Sequence, residues 1–170
     1  RSVNSGGNWT KVHGSISQAI EVHPLNDNIV YAGGPNGVVK SVDGGTVWTS
    51  INNGLDNPAS GTVFDILIDP AEPENVYCAT ANGVYKSEDG GANWTRLTST
   101  MDSVRALAFD PLDPHIVYAA AYYQGIFVTA NDGQTWSTLG DPILSRTDIT
   151  VDPSDRNTIY MAGGGVWRYV

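Results

Sequence analysis

The sequence predicts an all-β chain built from four copies of one four-stranded unit. The first observation is an eight-residue box that recurs without change of length, at residues 2–9 (SVNSGGNW), 41–48 (SVDGGTVW), 87–94 (SEDGGANW) and 129–136 (TANDGQTW). Its grammar is hydroxyl, any residue, Asp or Asn, any residue, Gly, two spacers, Trp. The second is a β-branched or aromatic residue followed by Asp-Pro or His-Pro, at Pro24, Pro70, Pro111 and Pro153, with spacings of 46, 41 and 42 residues. The third is a Tyr after each Pro (Tyr31, Tyr77, Tyr118, Tyr160), then a Gly followed by two apolar residues at Gly37, Gly83, Gly125 and Gly165. A fixed period of this size is the signature of a repeat architecture.

Each unit reads as four short strands. The first runs into the Pro, over 19–23, 65–69, 106–110 or 148–152. Pro ends it because it has no N–H for a ladder and a fixed φ. The second carries the Tyr. The third runs from the Gly into the box, and the fourth starts at the box Trp. No stretch holds an apolar period of 3.6, whereas β-branched and aromatic runs alternate with Gly, Pro, Asn and Asp clusters. The box is a hairpin turn. Ser2, Asn4 and Gly6, then Ser41, Asp43 and Gly45, Ser87, Asp89 and Gly91, and Thr129, Asn131 and Gly133 supply turn hydrogen bonds and positive φ. Trp9, Trp48, Trp94 and Trp136 are expected to bury their rings between neighbouring sheets. Four-stranded units at this period are propeller blades, expected at 13–54, 55–100, 101–142 and 143–170 plus 1–12 of a single domain.

These boxes resemble the Asp-box, or BNR, repeat. With the frame of Asp-Pro, Tyr, Gly-Val and Ser-x-Asp-Gly-Gly-x-x-Trp, nearly the whole chain is similar to the repeats of xyloglucanase-like glycoside hydrolases, sortilin-like receptors and photosystem II assembly factors. The resemblance implies a β-propeller and leaves the activity open, since one fold hosts many functions. The chain opens inside a box and closes inside a third strand. Two arrangements follow: four blades closed by pairing of the terminal strands around Trp9–Val12, or a segment of a larger propeller. Arg1-Ser2 and Arg168-Tyr169 both align with Lys40-Ser41, so one stretch of strand is supplied twice.

The 170 residues carry 9 Lys and Arg against 18 Asp and Glu, a net charge of −9 that argues against nucleic acid as a partner. No apolar run approaches membrane-spanning length. Scarce Lys with plentiful Asn, Ser, Thr and Gly fits a secreted, extracellular or periplasmic protein. Cys78 stands alone, and His13, His23 and His115 lack metal-ligand spacing, so neither metal nor cofactor is expected.

The resemblance implies that ligands bind on the face opposite the boxes, where the longest loop contains Asp56. Five residues before each Pro the blades carry Ala19, Asp65, Ala106 and Asp148. Asp65 and Asp148 therefore sit on alternate blades of the channel, as a carboxylate pair for glycoside hydrolysis would, or else as solvated channel residues. Arg105 and Arg146 lie just before the first strands of blades three and four; with Asp56 they are candidates for ligand binding, or else they pair with these carboxylates. Tyr122 and Tyr123 are the aromatic pair on this face, suited to stacking on sugar rings. A sialidase, which the resemblance would require to show three Arg residues and a Tyr–Glu pair, is disfavoured: the chain has only four Glu residues (Glu21, Glu72, Glu74, Glu88), and Glu72 and Glu74 fall on the wrong face. The reading is a secreted, non-catalytic propeller that binds carbohydrate or protein. A xyloglucanase-like hydrolase, or a fragment of one, is the alternative. Self-association through the open terminal strands, as a structural unit of an assembly, is a third.

Overall fold

A computed structural model describes residues 1–15, 17–55, 61–97, 100–139 and 148–170. Among them there are only strands and turns. Blade 1 comprises β1 (Ala19–Val22), β2 (Val30–Gly34), β3 (Gly37–Ser41) and β4 (Thr49–Ser50). Blade 2 comprises β5 (Val63–Ile68), β6 (Val76–Thr80), β7 (Gly83–Ser87) and β8 (Thr95–Arg96). Blade 3 comprises β9 (Val104–Phe109), β10 (Val117–Ala121), β11 (Gly125–Thr129) and β12 (Ser137–Leu139). Blade 4 comprises β13 (Asp148–Asp152), β14 (Asp155–Ala162) and β15 (Val166–Tyr169). Each is an antiparallel meander with neighbours in sequence order, and the innermost strands β1, β5, β9 and β13 pack in succession.

The repeated residues explain the repeated geometry. In the box of blade 1, Ser41 Oγ donates to Asp43 Oδ1 (2.8 Å) and accepts the Gly45 N–H (2.8 Å). Asp43 Oδ1 also accepts the N–H groups of Thr46 and Val47, both at 2.9 Å. Gly45 has φ +89°, which costs a residue with a Cβ. The Asp-Pro motif is a second turn cap. Asp69 Oδ1 accepts from Ala71 and Glu72 (2.8 and 3.1 Å), and Asp110 Oδ1 from Leu112 and Asp113 (2.9 and 3.1 Å). His23 fills the same role with Nδ1, which accepts the Leu25 N–H at 3.2 Å.

Among the described residues the apolar core lies between blades, in three clusters. One joins Ala19, Tyr31 and Val38 to Ile66, Val76, Cys78 and Trp94. The next joins Tyr77, Ala79 and Val84 to Leu107, Val117 and Ala119. The third joins Tyr118, Ala120 and Ile126 to Ile149, Val151, Ile159 and Met161. The repeat Tyr also reaches forward to the following box. Tyr31 donates to Gly90 O (3.0 Å), joined there by Lys40 Nζ (2.9 Å), and Tyr77 donates to Asp132 Oδ1 (3.4 Å). Blade 4 is tied back to blade 3 by Arg156 Nε on Asp110 Oδ2 (2.9 Å).

Two expectations are corrected. Trp9–Val12 does not pair with the last strand: residues 1–12 contain no strand, and the fourth sheet has three. Arg1, which duplicates the repeat position of Arg168, exchanges backbone hydrogen bonds with Thr10 instead (2.8 and 2.9 Å). The segment then docks on blade 1 through Arg1 Nη1 on Gly44 O (2.7 Å). Trp9 is therefore 76% exposed, whereas Trp94 is buried and Trp48 and Trp136 partly so. A box Trp needs the preceding blade as the far wall of its pocket, and no blade stands behind residues 1–12.

Candidate functional site

Two inner strands bulge at the same repeat position. Val63 pairs with Thr80 and Asp65 with Ala79, so Phe64 is the extra residue of β5. Val104 pairs with Ala121 and Ala106 with Ala120, so Arg105 is the extra residue of β9. A bulge re-aims its side chain, and here it brings two together. The Arg105 guanidinium lies 3.8 Å from the Phe64 ring centroid and 5.1 Å from that of Tyr122. Cation–π contacts of this kind contribute on the order of 0.5–2 kcal/mol, more as they are desolvated. Tyr122 in turn meets Tyr123, with ring centroids 4.0 Å apart.

The backbone beneath this cluster is strapped across two blades. Ala81 N–H donates to Thr62 O (3.0 Å), Ser103 N–H to Ala81 O (2.8 Å) and Tyr122 N–H to Ser103 O (2.9 Å). Met101, fully buried, anchors the loop before β9, and Asp102 N–H donates to Gln124 Oε1 (2.9 Å). Tyr123 has φ +63°, an uncommon conformation for a bulky residue, and the residue is 61% exposed. Strain of this sort gathers at ligand sites. The Tyr122 hydroxyl, hydrogen-bonded to that of Tyr123, raises the Tyr123 pKa.

Asp65 and Asp148 differ from one another. Asp65 is half-buried. Its Oδ1 accepts the Ile66 N–H (2.9 Å) and its Oδ2 the Leu107 N–H of the next blade (2.9 Å). Burial pushes its pKa up to about 6, against the opposing pull of these two hydrogen bonds, and the charge of Asp148 adds to the rise. Asp148 is exposed and accepts only the N–H of Ile149 (2.9 Å) among its described hydrogen bonds. Burial, and then the charge of Asp65, raise Glu21 as well. Arg105 does not pair with these carboxylates, because the bulge turns it onto aromatic faces. Asp56 and Arg146 lie outside the described residues. Phe64 was missed in the sequence because a bulge leaves no mark in the repeat pattern. Among the described residues no group of three or more His, Cys, Asp or Glu side chains gathers to hold a metal.

The Asp65 pKa has a consequence for stability. The folded carboxyl holds its proton more tightly than the unfolded one, so its contribution is full below the ordinary Asp value and is lost as pH rises through about 6. Asp65→Asn has no such slope. Its urea midpoint is expected to rise relative to that of the wild type between pH 4 and pH 7, on top of a constant penalty for one mispaired N–H. A difference that does not vary with pH would contradict this assignment.

No protein-family model matches the chain, and no curated protein matches it. Solved structures do. An ancestral GH74 enzyme superimposes with a TM-score of 0.78 at 22% identity, over 92% of this chain and 23% of that one. The fold is a β-propeller. The extracellular domain of the putative one component system BT4673 from B. thetaiotaomicron matches with a TM-score of 0.69 at 17% identity, over 90% of this propeller and 21% of that chain. An auxiliary nutrient binding protein from Bacteroides thetaiotaomicron matches with a TM-score of 0.66 at 17% identity, over 89% and 37%. The propeller thus spans between about a fifth and two fifths of these chains.

Proposed function

We propose that this chain is a non-catalytic β-propeller module of the Asp-box type, extracellular or periplasmic, that binds carbohydrate. The observation behind this reading is the Phe64–Arg105–Tyr122–Tyr123 cluster. It offers an exposed ring held rigidly at the face opposite the boxes, with phenol hydroxyls at its edge. Sugar rings stack on such a surface through their C–H faces and hydrogen-bond at its rim. The similarity to a nutrient binding protein and to an extracellular sensor domain is consistent with this reading. In affinity electrophoresis against xyloglucan and mixed-linkage glucans, wild-type mobility is expected to be retarded. Tyr123→Ala is expected to weaken binding ~10-fold, the loss of one stacked ring, with an unchanged circular dichroism spectrum. Equal retardation of variant and wild type would refute the site.

A hydrolase is the second reading, favoured by one observation. Asp65, with its pKa near 6, is poised as an acid, while the exposed Asp148 suits a base. It requires release of reducing ends that Asp148→Asn abolishes. The two backbone N–H groups held by Asp65 favour a tether between blades instead.

A further inference from the structure

The two ends of the blade series leave complementary surfaces uncovered, and the interior joints show what such surfaces take. In blades 2, 3 and 4 the residue after the channel position packs on the preceding blade: Ile66, Leu107 and Ile149 are at most 5% exposed, but their counterpart Ile20 is 70% exposed. On the opposite face Tyr31, Tyr77 and Tyr118 are at most 8% exposed against 37% for Tyr160. Val38, Val84 and Ile126 are at most 3% exposed against 82% for Val166. Among the described residues nothing folds back to cover these faces, and no packing like that of β5 on β1 joins β13 to β1.

Residues 1–12 already hold the place of the outer edge of a blade that precedes blade 1. Arg1 binds Gly44 O as Lys40 binds Gly90 O. Val12 covers the Cβ side of Gly45 as Ile51 covers Gly91 and Leu97 covers Gly133. Arg1 faces Thr10 as Lys40 faces Thr49 and Lys86 faces Thr95. Blade 4 lacks this same edge. Beside it lies a cavity of about 410 Å³ lined by Tyr118, Val128, Leu139, Arg156 and Ile159, among others. Tyr118, Leu139 and Ile159 are the counterparts of Tyr31, Ile51 and Val76, which surround the buried Trp94 two blades earlier. Trp94 Nε1 donates there to Ile51 O (2.7 Å).

We propose that a second copy of this chain docks head to tail on blade 4. Its residues 9–11 add the missing fourth strand, its Trp9 fills the cavity between blades 3 and 4, and its blade 1 covers Tyr160 and Val166. The joint reproduces interior bonds. Thr10 of the second copy pairs with Arg168, which displaces its own Arg1. The incoming Trp9 indole donates to Leu139 O as Trp94 does to Ile51 O. Asp148 accepts the N–H of the second copy's Ile20, as Asp65 accepts that of Leu107. The contact is heterologous, one surface meeting a different one, with an aromatic anchor in a preformed pocket at its centre. It also covers the open edge of β15.

The test is disulfide trapping in the 170-residue chain carrying both Thr10→Cys and Arg168→Cys. Facing residues of a hydrogen-bonded antiparallel pair stand about 5.5 Å apart at Cα, within disulfide range, and Cys78 is buried and does not compete. Mild oxidation is expected to give disulfide-linked species of two or more chains on a non-reducing gel. A link within one chain, or no link, would overturn the proposal. Without the two introduced cysteines, light scattering is expected to show association at micromolar concentration. Trp9→Ala is expected to raise the dissociation constant at least ~10-fold with unchanged circular dichroism. A monomeric wild type, or an assembly indifferent to Trp9→Ala, would equally overturn it.

Discussion

Tyr77→Ala is expected to destabilise the fold by about 3–5 kcal/mol, the range for deleting a large buried ring. Tyr77 is fully buried, stands edge-on to Phe109 with centroids 5.8 Å apart, and belongs to the core between blades 2 and 3. Its hydroxyl donates to Asp132 of the following box, and burial, then Asp132, raise its pKa. Tyr77→Phe isolates that hydrogen bond. At 3.4 Å it is long, so the loss is expected to be about 1 kcal/mol or less. Urea denaturation of the pair checks both values. If Tyr77→Ala cost no more than Tyr77→Phe, the ring would not be the element that joins the two blades.

Gly54→Ala is the second large effect. Gly54 has φ +89°, and a Cβ there would stand 2.1 Å from the Trp94 carbonyl oxygen, a backbone atom that cannot swing aside. The left-handed conformation alone costs about 1–2 kcal/mol, and overpacking adds about 1–3 kcal/mol. The neighbouring bond from Trp94 N–H to Asn53 O (2.8 Å) must lengthen as the chain retreats. At Gly91 the same substitution meets the Cδ1 end of Ile51 at 2.4 Å. Gly91→Ala is therefore expected to cost less, because a side-chain tip can rotate. A comparison of thermal midpoints decides the order.

The blades and the box turns were legible because each rests on local chemistry repeated four times: a hydroxyl and an Asp or Asn capping a turn, a Gly at positive φ, a Pro ending a strand. The Asp side chain before that Pro caps a turn as well, which the sequence reading did not foresee. The candidate site was legible only in part. Tyr122 and Tyr123 stood out as an interruption of the pattern. Phe64 and the true partner of Arg105 did not, because both depend on bulges, which are a matter of register between strands. The bond from Asp65 to Leu107 was hidden for a related reason. It joins a side chain to the backbone of the next repeat, and any residue in place of Leu107 would present the same N–H.

Among the described residues of this molecule each of the three apolar clusters straddles two consecutive blades, and none is owned by one. Its thermodynamics is therefore that of a one-dimensional lattice, in which each unit is unstable alone and is held by its nearest neighbours. In the unassociated chain, native-state hydrogen exchange should then fall in a gradient, slowest in the interior sheets and fastest at the first and last. Changes in length by whole repeats would preserve every joint but one. A gene encoding such a chain can lengthen by duplication without inventing a new core.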